Sequence, residues 1–175
     1  ACMVIELDVR EREAVEATIA GLPKQGVEGI DILLNNAGLA AGLSKVQDGS
    51  FDHWDRMVDT NVTGLLNVSR FVLPWMVERG CGHVVNIGSI AGRYVYPNGN
   101  VYCATKHAVR ALNKAMRLDL SGHGVRVTSI DPGLLETQKI DGPVVAEAVG
   151  ADQPFNEDSI IDQLPAKSAE LLDQS

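Results

Sequence analysis

Apolar residues along the first 140 positions follow two spacings in turn. Short, nearly unbroken runs have the length of β-strands and end in turn formers: CMVIELDV, IDILLNNAG, HVVNIGS and VRVTSID. Between them lie longer stretches with helical spacing. REREAVEATIAGL puts Ala14, Val15, Ile19 and Leu22 on one face, and PKQGVEG then reads as a loop. FDHWDRMVDTNVTGLLNVSRFVLPWMVERG predicts a long helix capped by Ser50, which Pro74 bends or breaks near its end. NVYCATKHAVRALNKAMRLDLSG predicts another helix. Strands alternating with helices mean βαβ crossovers, so the expected class is α/β, a doubly wound parallel sheet with helices on both faces. The runs DILLN and HVVNI fit strands buried on both sides.

Polar residues gather where those strands end. Asp8 closes the first run, Asn35 to Gly38 the second and Ser89 the third, while Pro132 and Gly133 follow the fourth. Open α/β sheets bind ligands along that carboxyl edge. Tyr102 and Lys106 fall one helical turn apart on one face. Spacing alone leaves open whether that helix starts near the same edge or the opposite one. Asn61, Thr63 and Gly64 are poor helix formers side by side, and they predict a kink that could hold a water.

Composition narrows the function. The chain has 175 residues, 45% of them hydrophobic, enough for one cored domain over residues 1–140. Residues 141–175 differ in kind: Lys167 stands alone against eight acids, and a short helix in PVVAEAV followed by a loosely ordered tail is expected. A net charge of −8 argues against nucleic acid. No run is long enough to span a membrane, no secretion signal is visible, and three cysteines without CxxC spacing suggest neither disulfides nor zinc. A reducing cytoplasmic setting is therefore expected, with no metal site. NIGSIAGR is no hydrolase elbow, because Ile87 and Ala91 occupy the required glycine positions.

NNAG, Asn61, Ser89, YCATK and DPG fall in the order and approximate spacing of the short-chain dehydrogenase/reductase family, which residues 2–140 resemble. NNAGLA, GNVYCATKHAVR and PGLLET look most like its bacterial branch that oxidises serine and related 3-hydroxy acids. The resemblance implies a Rossmann-like sheet and NADP or NAD as cofactor. It implies that Tyr102 is the general acid/base that exchanges a proton with the substrate oxygen as hydride moves. A free phenol titrates near ~10, so this role needs a neighbouring cation, which Lys106 supplies. By the same resemblance Ser89 holds the substrate oxygen, Asn61 anchors a relay water, and Lys106 also meets the nicotinamide ribose. Asp8 lies by the adenine. Asn35, Ala37, Gly38, Pro132 and Gly133 line the cofactor, and Thr137 touches its carboxamide. Tyr94 and Tyr96 are either substrate-pocket walls or packing residues. The helices over 52–79 and 100–121 are expected to pair between subunits of a homodimer or homotetramer acting on a small alcohol or carbonyl compound.

The family pattern is not matched throughout. It begins with a glycine-rich turn that receives the pyrophosphate, and no such turn occurs here. The chain opens at what corresponds to the third strand, without the first βαβ portion. The absent strands would lie between the run ending at Asp8 and the strand ending at Asn35, so the first run is left without a neighbour to pair with. A final strand is not evident, and residues 153–175 have no counterpart. Two readings follow: these residues belong to a longer active chain, or they form a truncated, inactive relative that binds a partner.

Overall fold

Leu33, Val84 and Val127 stand side by side across three parallel strands, and the alternation of each strand aims them into one core. The strands are β1 (Ile32–Asn35), β2 (Gly82–Ile87) and β3 (Val125–Ile130), in the spatial order β1-β2-β3. Four helices accompany them: α1 (Arg12–Gly21), α2 (Phe51–Val58), α3 (Leu65–Arg79) and α4 (Asn100–Asp119). This is a computed structural model, and it describes residues 3–133. Thr137, the C-terminal helix and the tail expected from the sequence lie outside the described residues.

The core forms where helix stripes meet the inward strand positions. Val15 and Ile19 of α1, Leu65, Val72 and Met76 of α3, and Val109 and Met116 of α4 close over Leu33, Val84 and Val127. Each fully buried aliphatic side chain contributes about 1.5–3 kcal/mol through the hydrophobic effect. Of the four positions expected on the α1 face, Val15 and Ile19 are buried, Leu22 is half-buried and Ala14 is exposed.

The α/β alternation and the parallel sheet are as the sequence predicts, and four local expectations are corrected. First, β1 is not buried on both sides: Ile32 is 65% exposed and Leu34 51%, because the described helices that meet the sheet, α3 and α4, pack on the opposite face, while His83, Val85 and Ile87 of β2 are half-buried there. Second, residues 3–8 form no strand; no described strand runs beside them, and their carbonyl and N–H groups have no ladder to join. Third, Pro74 does not break α3, which runs through it to Arg79; Pro74 lies on the exposed side, where the carbonyl left without its backbone donor is open to solvent. Fourth, Ser50 sits at the cap position of α2 but its side chain makes no capping bond.

The weak formers around Asn61 do interrupt the helix. Asp59–Gly64 is a π turn that joins α2 to α3. Such a turn inserts one extra residue into the ladder and is often found beside functional sites. No helix among the described residues is long and apolar enough to cross a membrane.

Candidate active site

The buried stripe of α4 is Cys103, Lys106, Val109, Asn113 and Met116, at steps of three and four. Lys106 therefore points inward, and its Nζ donates to the Ile87 carbonyl, 3.0 Å away at the carboxyl end of β2. A Cβ on Gly92 would come within 2.7 Å of the Lys106 carbonyl oxygen, so the missing side chain lets the turn after β2 seat on α4. Together these contacts settle the position that spacing left open: the start of α4 returns to the ligand-binding edge. The Lys106 Nζ lies 5.9 Å from the centre of the Tyr102 ring, one turn away. Burial pushes the Lys106 ammonium below its ordinary value, and the Asp131 carboxylate opposes that shift.

Asn61, in the π turn, reaches the same corner. Its Oδ1 accepts the Leu39 N–H at 2.8 Å, while its Nδ2 donates to the Leu39 carbonyl at 2.9 Å and to Thr105 Oγ1 at 3.0 Å. Thr105 in turn donates to the Tyr102 carbonyl at 2.8 Å. A Cβ on Gly38 would lie 3.3 Å from Asn61 Oδ1 and 3.6 Å from Lys106 Nζ. Gly38 thus keeps open a space bounded by an amide oxygen and a buried ammonium.

Ser89 follows β2 in extended backbone, and its Oγ accepts the Ala91 N–H at 3.1 Å. This is the capping geometry its position suggests, and the hydroxyl hydrogen has no partner among the described residues. The segment is tethered to the exit of β3: Gly88 N–H donates to Ile130 at 2.7 Å and Ile90 N–H to Pro132 at 3.1 Å. Asp131 reinforces the tether by accepting from Ser129 Oγ at 2.6 Å and Arg93 Nη2 at 3.0 Å. Gly133 adjoins Pro132, and both are half-buried. Beyond Arg93, Tyr94 is 52% exposed. Tyr96 lays its ring over Gly99, and its phenol is pushed up by burial, then by Cys103 and Tyr102. A shallow recess opens beside Tyr102, between α2 and the start of α4, lined by Ser44, His53, Trp54, Asn98 and Asn100.

Two residues expected at the rim sit differently. Asn35 is at the end of β1, but its side chain turns into the core, where Nδ2 donates to Ser69 Oγ at 3.1 Å and Asn86 Oδ1 at 2.8 Å. Asn86 passes the chain on to Asn113 at 3.1 Å. Any contact of Asn35 with a ligand would be through its main chain, whereas Ala37 and Gly38 beyond it are exposed. Asp8, with no strand to end, occupies the turn before α1. It pairs with Arg10 at 2.6 Å, and this hydrogen-bonded guanidinium lowers its carboxyl to about 2.

Thr105, Asn67, Asn86, Asn113 and Asp131 were not singled out in the sequence. Asn113 was within reach of pattern reasoning, since a polar residue on an apolar helical stripe marks a buried hydrogen bond. Among the described residues no three His, Cys, Asp or Glu side chains form a metal cluster.

A family profile for short chain dehydrogenase matches residues 1–142. The chain is 51% identical over 133 residues to the NADP-dependent 3-hydroxy acid dehydrogenase YdfG of Salmonella typhi, covering 76% of this chain and 53% of that protein. It is 48% identical over 134 residues to the serine 3-dehydrogenase of Rhizobium radiobacter, covering 77% and 53%. Serine dehydrogenase from Escherichia coli superposes with a TM-score of 0.71 at 52% identity, over 74% of this chain and 60% of that one. A closed form of serine dehydrogenase complexed with NADP+ gives 0.72 at 52% identity, over 74% and 52%. The chain spans about half the length of the curated relatives it matches.

Proposed function

The chain belongs to the short-chain dehydrogenase family, and on that premise we propose that it works as an NADP-dependent oxidoreductase on a secondary alcohol, with 3-hydroxy acids such as serine as the substrate class. The observation that carries the reading is the buried Lys106 ammonium one turn from Tyr102. Its only recorded protein acceptor among the described residues is the Ile87 carbonyl, so two of its three N–H donors remain for the hydroxyls of a ribose. The gap kept by Gly38 supports the same fit, since a flat ligand can approach the backbone there. NADP is favoured over NAD by what the relatives are named for.

When bound, the nicotinamide supplies the hydride acceptor. In the oxidation direction the C–H bond of the alcohol carbon breaks, with both electrons leaving as hydride. The hydroxyl proton passes to Tyr102, and a carbonyl remains. Lys106 stabilises the negative tyrosine oxygen that takes this proton. The Ser89 hydroxyl, whose hydrogen has no acceptor among the described residues, donates to the substrate oxygen. Asn61 holds Leu39 and Thr105 in place and, through a water, returns protons towards Lys106. Asp8 borders the adenosine half of the cofactor, with Asn35, Ala37, Gly38, Pro132, Gly133 and Thr137 along its length; Tyr94 and Tyr96 wall the substrate. Exposed Phe51, Val58, Leu66 and Leu118 on α2 to α4 suit pairing of helices between subunits of a homodimer or homotetramer.

Tyr102→Phe tests the mechanism. Substrate-dependent formation of reduced nicotinamide, followed by absorbance, is expected to fall at least about a hundredfold while NADP affinity holds. A variant with full turnover overturns the assignment.

A further inference from the structure

We propose that Asn67 is a positioning residue: together with Gly64 it seats the Asp8–Arg10 turn on α3 and so fixes where the adenosine half of the dinucleotide docks. The last clause rests on the proposed function; the seat itself rests on contacts.

Asn67 is buried, and its amide engages both the turn and the first residue of α1. Nδ2 donates to the carbonyl of Val9 at 3.0 Å and more weakly to that of Arg10 at 3.4 Å, while Oδ1 accepts from Arg12 Nε at 3.3 Å. Three residues earlier, a Cβ on Gly64 would come within 2.5 Å of Val9 Cγ2, so the glycine lets the valine lie directly on the helix. Leu7, just before the turn, packs against the core, and beyond that apolar contact the polar groups around the turn do little to place it. Residues 3–8 have no ladder, and Glu11, at the cap of α1, makes no side-chain capping bond. The Asp8–Arg10 ion pair lies within the turn, so it shapes the turn without locating it. Val15 and Ile19 anchor α1 further along. A side chain that donates to two carbonyls of a turn and accepts from the first residue of the helix after it is suited to holding that turn rather than to filling core.

The test compares Asn67→Asp, which keeps shape and acceptor but removes both donors, with Gly64→Ala, which pushes on Val9 from the other side. Amide hydrogen exchange of the full chain is read at Glu11, whose N–H donates to the Asp8 carbonyl at 3.1 Å. Binding of adenosine 2′,5′-bisphosphate and of nicotinamide mononucleotide is read by calorimetry. Both variants are expected to speed exchange at Glu11 by roughly tenfold without changing it at Val127, and to weaken the bisphosphate by a similar factor but not the mononucleotide. Adding Val9→Ala to Gly64→Ala is expected to restore both readings, a rescue that general destabilisation would not give. Should Asn67→Asp fail to fold, the Gly64 and Val9 pair carries the test alone. Wild-type exchange at Glu11 in the variants overturns the seat. Faster exchange in a chain whose parent does not bind the bisphosphate upholds the seat and overturns the adenosine reading of Asp8.

Discussion

At the Lys106 corner the buried polar groups are engaged from several elements at once. Asn61 bonds Leu39 and Thr105, Thr105 bonds Tyr102, Lys106 bonds Ile87, and Gly92 presses on the backbone of α4. At the Asp8 turn the charged groups are exposed and paired with each other, and one side chain, Asn67, makes the recorded hydrogen bonds to the rest of the fold. Both ends hang from the same helix, one from its π turn and one from the next turn of α3. The contrast separates a place where geometry is fixed by several buried polar contacts from a place whose polar contacts to the rest of the fold pass through a single amide. The first suits proton transfer, which tolerates little displacement. The second suits a contact that contributes affinity rather than chemistry.

Three measurements can break that contrast. The largest effect is expected from Asn61→Leu, which strands both main-chain groups of Leu39 and removes the donor to the Thr105 hydroxyl. Loss of about 2–3 kcal/mol in urea unfolding is expected; a loss no greater than that of an exposed substitution would mean burial does not secure this corner.

A middle-sized effect is expected at Lys106. Its folded value is lowered, so between that value and the ordinary 10.5 the unfolded chain binds more protons and stability rises with pH. Lys106→Met is expected to flatten this rise and to abolish turnover. An unchanged slope would show that the ammonium is better solvated than its surroundings suggest.

The smallest belongs to Asp8. Its carboxyl is lowered from 3.8 to about 2, so the stability it adds is present above the ordinary value and is lost as pH falls through that interval. The pair is exposed, and high salt is expected to erase most of the difference between wild type and Asp8→Asn. A contribution that survives salt would put the two ends on a similar footing.

The sequence made some of this visible and hid the rest for identifiable reasons. Helical spacing from Val101 to Met116 announced α4, and Tyr102 and Lys106 came with it, because periodicity is a local property. Asn61, Thr63 and Gly64 announced an interruption but not that it would be a π turn. CMVIELDV has the composition of a strand and forms none over residues 3–8, because a strand needs a neighbour, and the comparison with the family pattern leaves this run without one. The expectation that β1 is covered on both sides failed for a related reason: apolar runs report affinity for a core, not which elements are there to supply it. Asn67 was invisible. A lone asparagine on a helix reads as a weak former, and only the fold brings Val9, Arg10 and Arg12 within its reach.

The π turn has a consequence in terms of angular phase. Each residue of an α-helix advances direction by about 100°, so one residue more or less between α2 and α3 swings everything after it by roughly that angle. Asn61 and Asn67 sit six positions apart with the insertion between them or beside them, and each must face a different part of the rim. Shortening Asp59–Gly64 by one residue would straighten the helix while aiming one of the two amides at empty space. The extra residue is thus a fixed offset in the direction of every side chain that follows it along α3.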